Sequence, residues 1–158
     1  MKIFTLGHST RSLEEFLEIL KIFKIELVVD VRRFPSSKKF PHFNKEILEE
    51  ELTKNKIQYV HYRKEGYENF SKTEEFSKSI EKLLKIIDEK NSVILCSELL
   101  WFRCHRRYIA NHLASKGYEV IHIFDKEKIQ EHKLKSKEIE EKMKLVVYCD
   151  KKAKHIKE

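Results

Sequence analysis

The chain has 158 residues, the length of one ordinary domain, and 41% of them are apolar, which is enough for a hydrophobic core. Charged residues make up 37%, the net charge is +7, and no apolar run approaches the roughly 18 residues that cross a bilayer, which excludes a membrane partner. Residues 1–6 lead directly into a strand pattern without a signal peptide, and three cysteines in such a chain argue against a disulfide framework. We therefore expect a cytoplasmic protein with reduced thiols.

Strand patterns alternate with helix patterns in chain order. The strands are predicted at residues 2–7, 26–31, 57–62, 92–97, 119–124 and, at an edge, 145–149. The helices are predicted after the capping pair Ser12 and Glu15, at 45–55 after Asn44, after the capping pair Ser71 and Glu74, at 103–116, and in part of 126–143. This order predicts a single α/β domain with a mostly parallel, five- to six-stranded sheet and helices on both faces. We place the domain at residues 1–150 and a basic C-terminal tail at 151–158.

Polar residues follow the predicted strands at the edge where open α/β sheets bind their ligands. They are His8, Ser9 and Thr10 after the first strand, Asp30 and Arg32 at the end of the second, Cys96 and Glu98 at the end of the fourth, and Cys104, His105 and Arg106 at the start of the next helix. The starts of the strands hold no comparable residues. The sequence therefore predicts one site at the carboxyl edge of the sheet.

Five segments, taken in this order, resemble the domain-of-unknown-function 488 family. They are Thr5–Thr10, Asp30–Arg32, Phe43-Asn44, Cys96–Glu98 and Cys104–Arg106, within a match over about residues 3–123. The resemblance implies the same site and, through the two cysteine segments, an enzyme, but it implies no particular reaction. The sequence departs from the family at residues 63–67, where many relatives have a Gly-Gly pair, so the resemblance does not extend to the shape of that loop.

Cys104 is predicted in the first turn of a helix and is flanked by Arg103, Arg106 and Arg107. The positive end of the helix and the nearby guanidinium groups favour the thiolate, which suits a nucleophile or a redox thiol. Cys96 lies on an apolar inner strand, where a packing role and a functional role are equally open. For both thiols the alternative is an inert buried cysteine. We expect Cys104 to be the most reactive of the three thiols.

The cysteines allow two further interpretations. The segment from Cys96 to Arg103 superficially resembles a phosphatase loop, but it is one residue too long and has no glycine, so we reject that interpretation. Cys96, Cys104, His105 and His8 have the ligand types of a zinc site, but the adjacent Cys104 and His105 chelate one ion awkwardly, and there is no Cys-x-x-Cys pair. We predict no cofactor and keep a metal at Cys96, Cys104 and His8 as a minority alternative. A Cys96–Cys104 disulfide in a cytosolic chain requires a redox function.

His8 and the pair Asp30 and Arg32 each have a chemical and a structural interpretation. His8 is a general acid or base near neutral pH, or a hydrogen-bonded structural histidine. Asp30 and Arg32 form an internal ion pair that orders the end of the second strand. Alternatively, Asp30 orients or deprotonates a reacting group and Arg32 holds a phosphate or carboxylate.

The remaining site residues also leave two interpretations open. Glu98 is an acid or base, or the ion-pair partner of Arg106 or Arg32. His105 is a further proton carrier. Ser9 and Thr10 cap the first helix, or they bind an anion at its N-terminus.

Together these residues predict an enzyme that acts by transfer or hydrolysis on a phosphate-bearing or nucleotide-like substrate. The catalytic candidates are His8, Asp30, Cys96, Glu98, Cys104 and His105, and the candidates for binding the substrate anion are Ser9, Thr10, Arg32 and Arg106.

The net charge of +7 favours an anionic small molecule or a nucleic acid as partner, while a solvated lysine-rich surface is the alternative explanation of the charge. The second function that we consider is a basic nucleic-acid-binding module without catalysis. It would bind phosphates with the basic residues of the loop at 32–43 and the lysines of the C-terminal tail, and it would stack bases on the aromatic residues of that loop and on Trp101. The enrichment in Lys and Glu over amides is thermophile-like, and the alternative explanation is an AT-rich genome, which gives similar usage of Lys and Ile.

Overall fold

A computed structural model of the chain describes residues 2–62 and 74–134. Within these residues six strands form one sheet: β1 Lys2–Gly7, β2 Leu27–Asp30, β3 Gln58–His61, β4 Ser92–Cys96, β5 Glu119–Ile123 and β6 Ile129–Glu131. The same ranges contain four α-helices: α1 Leu13–Ile22, α2 Lys45–Lys54, α3 Glu74–Ile87 and α4 Arg106–Ser115. Short segments of 3-10 helix at Pro41–Phe43 and Trp101–Arg103 lie in the loops after β2 and β4.

The strand order in the sheet is β3-β2-β4-β1-β5-β6. The first five strands along the chain pair in parallel, and β6 alone pairs antiparallel, with β5, at one edge. Parallel neighbours need crossover connections, which the helices of this chain supply. The sheet is therefore mostly parallel, as the order of the sequence patterns predicts.

Alternating residues of the central strands divide the core into two layers. Ile3 and Val29 face the layer that contains residues of α3 and α4, whereas Phe4 and Val28 face the layer that contains residues of α1 and α2. All four side chains are buried. The inner strands are apolar on both faces because helices cover both faces. This arrangement confirms the predicted single α/β domain.

The starts of the first two helices show how local sequence directs the chain. The Ser12 hydroxyl accepts a hydrogen bond from the Glu15 backbone N–H at 3.1 Å, as a capping pair should. Asn44 occupies the N-cap position of α2, but its side chain accepts a hydrogen bond from the Ser37 backbone N–H at 2.5 Å and makes no cap. The Asn44 side chain therefore fixes the loop between β2 and α2.

The helix predicted at residues 103–116 is shorter in the structure. It corresponds to α4, which begins at Arg106, because the chain first makes the 3-10 segment Trp101–Arg103 and then an extended residue at Cys104. The prediction that Cys104 lies in the first helical turn is therefore wrong: this residue precedes the N-cap residue His105.

Residues 126–134 are the described part of the segment in which a partial helix is predicted, and they contain the strand β6 and no helix. Asp125 causes the reversal: its carboxylate accepts hydrogen bonds from the backbone N–H groups of Glu127 and Lys128 at 2.8 and 2.7 Å. Such a turn by an aspartate side chain competes with helix formation and returns the chain along β5.

Several predicted features lie outside the described residues. They are the departure from the family at 63–67, the cap residue Ser71, the part of the predicted helix at 135–143, the edge strand at 145–149, the domain boundary at 150 and the basic tail at 151–158. Over residues 2–62 and 74–134, no helix combines the length and the apolar character that crossing a bilayer requires.

Gly7 ends β1 where the loop after β4 passes very close to it. A Cβ atom at this position would collide with the backbone carbonyl group of Glu98. Beyond Gly7 the backbone ladder continues, since the His8 N–H donates to the Cys96 carbonyl at 2.8 Å. The lack of a side chain at Gly7 therefore lets the two loops that carry the predicted site come together.

We predict that Gly7→Ala lowers the free energy of unfolding by about 3 kcal/mol or more, because the new methyl group meets fixed backbone. Urea unfolding followed by circular dichroism measures the change. The matched control is Gly117→Ala, where a Cβ meets nothing within 4 Å and only the positive φ of 93° opposes alanine. That strain should cost about 1–2 kcal/mol. Equal losses in the two variants would contradict a steric role for Gly7.

Candidate active site

The carboxyl ends of β1, β2 and β4 meet at one edge of the sheet because β4 lies between the other two. Gly7 is paired with Cys96, and Asp30 is paired with Leu95. His8 follows Gly7 and remains hydrogen-bonded to the Cys96 backbone. The topology thus brings the predicted residues of three strand ends to one place.

Cys96 and Cys104 form a close pair of thiols. Their Sγ atoms lie 2.7 Å apart, and both cysteines are free. Cys96 is 4% exposed at the end of β4, whereas Cys104 is half-buried in the loop that leads into α4. The Cys96 thiol also lies 3.6 Å from the Glu98 carbonyl. The loop after β4 therefore folds back and places the second thiol against the first.

The pKa values of the two thiols are shifted in opposite directions. Burial raises the pKa of Cys96 well above its usual value, and the contact with Cys104 raises it further. Burial also opposes ionisation of Cys104, but the hydrogen bond from Cys96 and the positive charge of Arg106 outweigh it and lower the Cys104 pKa to about 5. At neutral pH this arrangement favours a Cys104 thiolate that accepts a hydrogen bond from the neutral Cys96 thiol.

Arg106 is fully buried and opens α4. Its guanidinium donates to the Glu98 and Leu99 carbonyls at 2.5 and 3.1 Å and to the Thr5 hydroxyl at 3.3 Å. All three acceptors are neutral, and Arg106 pairs with no carboxylate among the residues that the structure describes. A buried positive charge needs a compensating negative charge, and the Cys104 thiolate beside it supplies one.

Two histidines that the sequence analysis missed extend the contacts of Arg106. The Thr5 hydroxyl lies 2.6 Å from His122 Nδ1, and His122 Nε2 lies 2.9 Å from His132 Nδ1. His132 Nε2 donates to the Asn111 side-chain oxygen at 2.7 Å. These bonds form one series that runs from Arg106 through Thr5 to Asn111.

Burial lowers the pKa of His122 to about 2, so this ring is neutral. The Trp101 ring stacks on the His122 ring, with 4.3 Å between the ring centres and 3° between the ring planes. A single histidine inside the apolar pattern of β5 is the one sequence signal that could have indicated this network. His132 shows no such signal, because its partners come from β5 and α4.

Asp30 and Arg32 form a buried ion pair at the end of β2. Arg32 Nε and Nη2 donate to the two carboxylate oxygens of Asp30 at 2.9 and 2.7 Å. Asp30 also accepts from the Tyr59 hydroxyl at 2.5 Å, and the remaining Arg32 nitrogen donates to the Phe43 carbonyl at 2.7 Å. Burial and the Asp30 charge raise the pKa of Tyr59, which keeps the phenol protonated as a donor. Both charges are thus satisfied within the protein.

His8 is held by the same group of residues. Its ring stacks on Phe43 at 4.3 Å, and its Nδ1–H donates to the Ser9 carbonyl at 2.9 Å. Burial lowers the pKa of His8 to about 4, so the ring is neutral at pH 7. Nε2 has no hydrogen-bond partner among the described residues and carries the lone pair. His8 therefore has the geometry of a base whose tautomer is set by Ser9.

The other predicted residues surround this centre. The Glu98 carboxylate accepts from the Leu100 N–H at 3.2 Å, so it shapes the loop, and only its backbone carbonyl contacts Arg106. His105 is the half-buried N-cap residue of α4. Ser9 adopts a positive φ of 51°, which turns the chain away from β1, and Thr10 is exposed. Ser12 caps α1, and Ser9 and Thr10 do not. Within residues 2–62 and 74–134, no group of three or more His, Cys, Asp or Glu residues could hold a metal ion.

The fold and the site together define an α/β domain with a thiol pair and a buried arginine at the carboxyl edge of its parallel sheet. The sequence model of the family described as "Domain of unknown function DUF488" matches residues 12–66 and 62–113, and the chain belongs to this family. Comparison with curated proteins found no match, and neither did comparison with solved structures.

We predict that His8 makes the protein less stable in mild acid. Its pKa falls from 6.5 in the unfolded chain to about 4 in the folded one, so only the unfolded state gains a proton between these values. The free energy of unfolding should therefore fall by about 3 kcal/mol from this group as the pH drops through that window. His8→Asn keeps an N–H donor for the Ser9 carbonyl but does not titrate. Urea unfolding across this pH range should show a smaller loss in that variant, and equal losses would contradict the assignment.

Proposed function

We propose that the protein is an enzyme that transfers or hydrolyses a group on a phosphate-bearing or nucleotide-like substrate through a covalent intermediate on Cys104. The observation that carries this proposal is the setting of the Cys104 sulfur. Its Sγ lies 2.7 Å from the Cys96 thiol and beside the guanidinium of Arg106, which pairs with no carboxylate in the described ranges. A thiolate stabilises such a buried charge, and it is also the nucleophilic form of cysteine.

Each residue around Cys104 has a separate role in the proposed reaction. The thiolate attacks an electrophilic atom of the substrate, and a bond to Sγ forms as the leaving group departs with its electron pair. Water or a second substrate then breaks the bond to Sγ, and Nε2 of His8 takes the proton of that nucleophile. Glu98 and His105 are the candidates that return a proton to the leaving group. Asp30 acts indirectly, because its ion pair holds the residues that support His8.

The charge around the site favours an anionic substrate. The exposed cations of the loops after β2 and β4 are Arg33, Lys38, Lys39 and Arg103. With a net charge of +7, these loops attract phosphate groups toward the edge of the sheet. Arg32 and Arg106 are occupied by internal acceptors, so we assign them to positioning His8 and the Cys104 thiolate rather than to direct binding of the substrate.

We predict that iodoacetamide alkylates Cys104 much faster than Cys96 at neutral pH, because only Cys104 is a thiolate there. Between about pH 7 and about pH 9 the rate at Cys104 should be nearly constant, whereas an ordinary thiol with a pKa of about 8.5 gains more than about tenfold. Site-resolved mass spectrometry measures both rates. A steep rise at Cys104 over this range would contradict the thiolate.

A matched pair of variants isolates the hydrogen bond from Cys96. Cys96→Ala removes the donor and should move the alkylation profile of Cys104 to higher pH. Cys96→Ser keeps a hydroxyl donor at the same position and should shift the profile less. If both variants behave like the wild type, the Cys96 thiol does not stabilise the Cys104 thiolate.

The covalent intermediate has its own test. We expect intact-mass spectrometry, after incubation with a panel of nucleotides and simple phosphate esters, to detect an adduct that maps to Cys104. Cys104→Ser should form no adduct and should lose turnover by at least about a thousandfold. Turnover that survives in Cys104→Ser would exclude Cys104 as the nucleophile and leave catalysis to His8, Asp30 and Glu98.

Binding of nucleic acid without catalysis is the second candidate, and one observation favours it. Phe34 is 71% exposed, and the Arg33 guanidinium lies 5.4 Å from the centre of its ring, as in surfaces on which single-stranded bases stack. We predict that such binding is indifferent to sequence and weakens steeply with salt. Anisotropy titrations of DNA and RNA oligomers at low and physiological salt test this, with Phe34→Ala as the stacking control. Sequence-selective or salt-insensitive binding would contradict it.

A further inference from the structure

The thiol pair has a geometry that the proposed covalent reaction does not need. A single nucleophilic cysteine requires a thiolate, but it does not require a second sulfur at 2.7 Å. We infer that Cys96 and Cys104 are a redox-active dithiol, which a hydroperoxide closes reversibly to a disulfide, with Cys104 as the attacking thiol and Cys96 as the resolving thiol. This inference concerns the same site as the proposed function, but its oxidation chemistry stands without any substrate.

The fold brings the two sulfur atoms together before any oxidation. Cys96 ends a central strand whose register with β1 is fixed through Gly7, and Cys104 lies eight positions further along the chain, at the entrance to α4. A disulfide bond is about 2.05 Å long, so closing the pair moves the sulfur atoms by less than about 1 Å. The protein therefore needs no local unfolding to form the bond.

The burial of the two cysteines sets the direction of the reaction. Cys104 is half-buried, whereas Cys96 is 4% exposed and closed off by the loop after β4. A small oxidant therefore reaches Cys104 first. The nearby Arg106 favours the thiolate that reacts with peroxide, and the lower acidity of Cys96 suits a thiol that reacts only in the second step.

The disulfide forms in two steps, oxidation of Cys104 and then attack by Cys96. The Cys104 thiolate attacks the terminal oxygen of the hydroperoxide, the O–O bond breaks, and the alkoxide or hydroxide that leaves takes a proton from water. Cys104 becomes a sulfenic acid. The Cys96 sulfur then attacks Cys104 Sγ, an S–S bond forms, and the S–O bond breaks as hydroxide leaves with the Cys96 proton as water. The two thiols lose two electrons in total, and the peroxide is reduced to water and an alcohol or a second water.

The electrostatics of the site also make the disulfide easy to reduce. Oxidation removes the thiolate and leaves the buried Arg106 without that negative charge, so the reduced form is the better stabilised one. A dithiol whose reduced form is stabilised has an oxidising disulfide. We therefore expect a modest excess of dithiothreitol to reopen the bond. If Cys104 is also the nucleophile proposed above, disulfide formation reversibly switches that activity off and protects the sulfur from irreversible oxidation.

The experiment uses the full chain with Cys149→Ser, so that Cys96 and Cys104 are the remaining thiols. The reduced protein is treated with hydrogen peroxide, the remaining thiols are blocked with iodoacetamide, and the products are mapped by mass spectrometry. We expect the loss of two hydrogens per chain, one peptide pair linked through Cys96 and Cys104, no alkylation at either position, and full recovery after dithiothreitol.

Two isosteric variants assign the roles of the thiols. With Cys96→Ser, oxidation should stop at Cys104, which is trapped as its sulfenic acid by dimedone or proceeds to the sulfinic acid. With Cys104→Ser, Cys96 should stay reduced over the same time. Circular dichroism verifies that each variant is folded. Rapid oxidation of Cys96 in Cys104→Ser would reverse the assigned order of the two thiols. Oxidation at both positions without the linked peptide, in the protein that keeps both thiols, would overturn the inference.

This inference and the proposed function fail separately. A substrate adduct on Cys104 in a protein that forms no Cys96–Cys104 disulfide would leave the covalent enzyme standing and remove the redox pair. A reversible disulfide in a protein that forms no adduct with any phosphate-bearing compound would leave the redox pair standing and remove the covalent enzyme.

Discussion

The burial of one positive charge, the guanidinium of Arg106, is the constraint on which the rest of the site depends. It joins three parts of the fold, because it opens α4, contacts Thr5 on β1 and holds two carbonyl groups of the loop after β4. Removing a charge from water is costly unless other charges and dipoles replace the solvent. The carbonyl groups supply the dipoles, and the Cys104 thiolate supplies the opposite charge. The low pKa of Cys104 thus follows from the hydrogen bond from Cys96 together with the positive charge of Arg106.

Arg32, a second buried arginine of the site, has a carboxylate partner and a different effect. Its pairing with Asp30 neutralises the charge, and its remaining hydrogen bond fixes the backbone of Phe43, on which the His8 ring stacks. One arginine is therefore paired internally and supports a neutral base, while the other is unpaired among the described acids and supports a thiolate. This difference separates the acid–base part of the site from its sulfur part.

The sulfur part connects the two proposals. A thiolate that is stabilised for attack on a substrate is also the form that peroxides oxidise. In the inferred redox reaction, Cys96 at contact distance attacks the oxidised Cys104, and in the reduced protein it is a hydrogen-bond donor to Cys104. The same neighbour thus serves both states. The exposed cations and aromatic residues of the loop after β2 take no part in this sulfur chemistry. Their proposed role is to attract and select the anion that binds.

The sequence by itself determined β1 to β5, the cap at Ser12 and the edge of the sheet at which the candidate residues meet, because apolar periodicity and capping are local properties and parallel strands end on one side. It could not determine the environment of Cys104, since a 3-10 segment and the N-cap residue His105 move this residue out of the helix. The sequence also did not predict β6, because the charged residues of this segment fit a helix as well as a strand, and only pairing with β5 favours the strand. It did not predict the contact of His122 with His132, because this contact depends on that pairing. The pair of Asp30 and Arg32 could be predicted, because the two residues are two positions apart in the chain. Only the tertiary structure decided that Arg106 is buried without a carboxylate partner among the described residues, since its contact with Thr5 depends on the position of β1 beside β4.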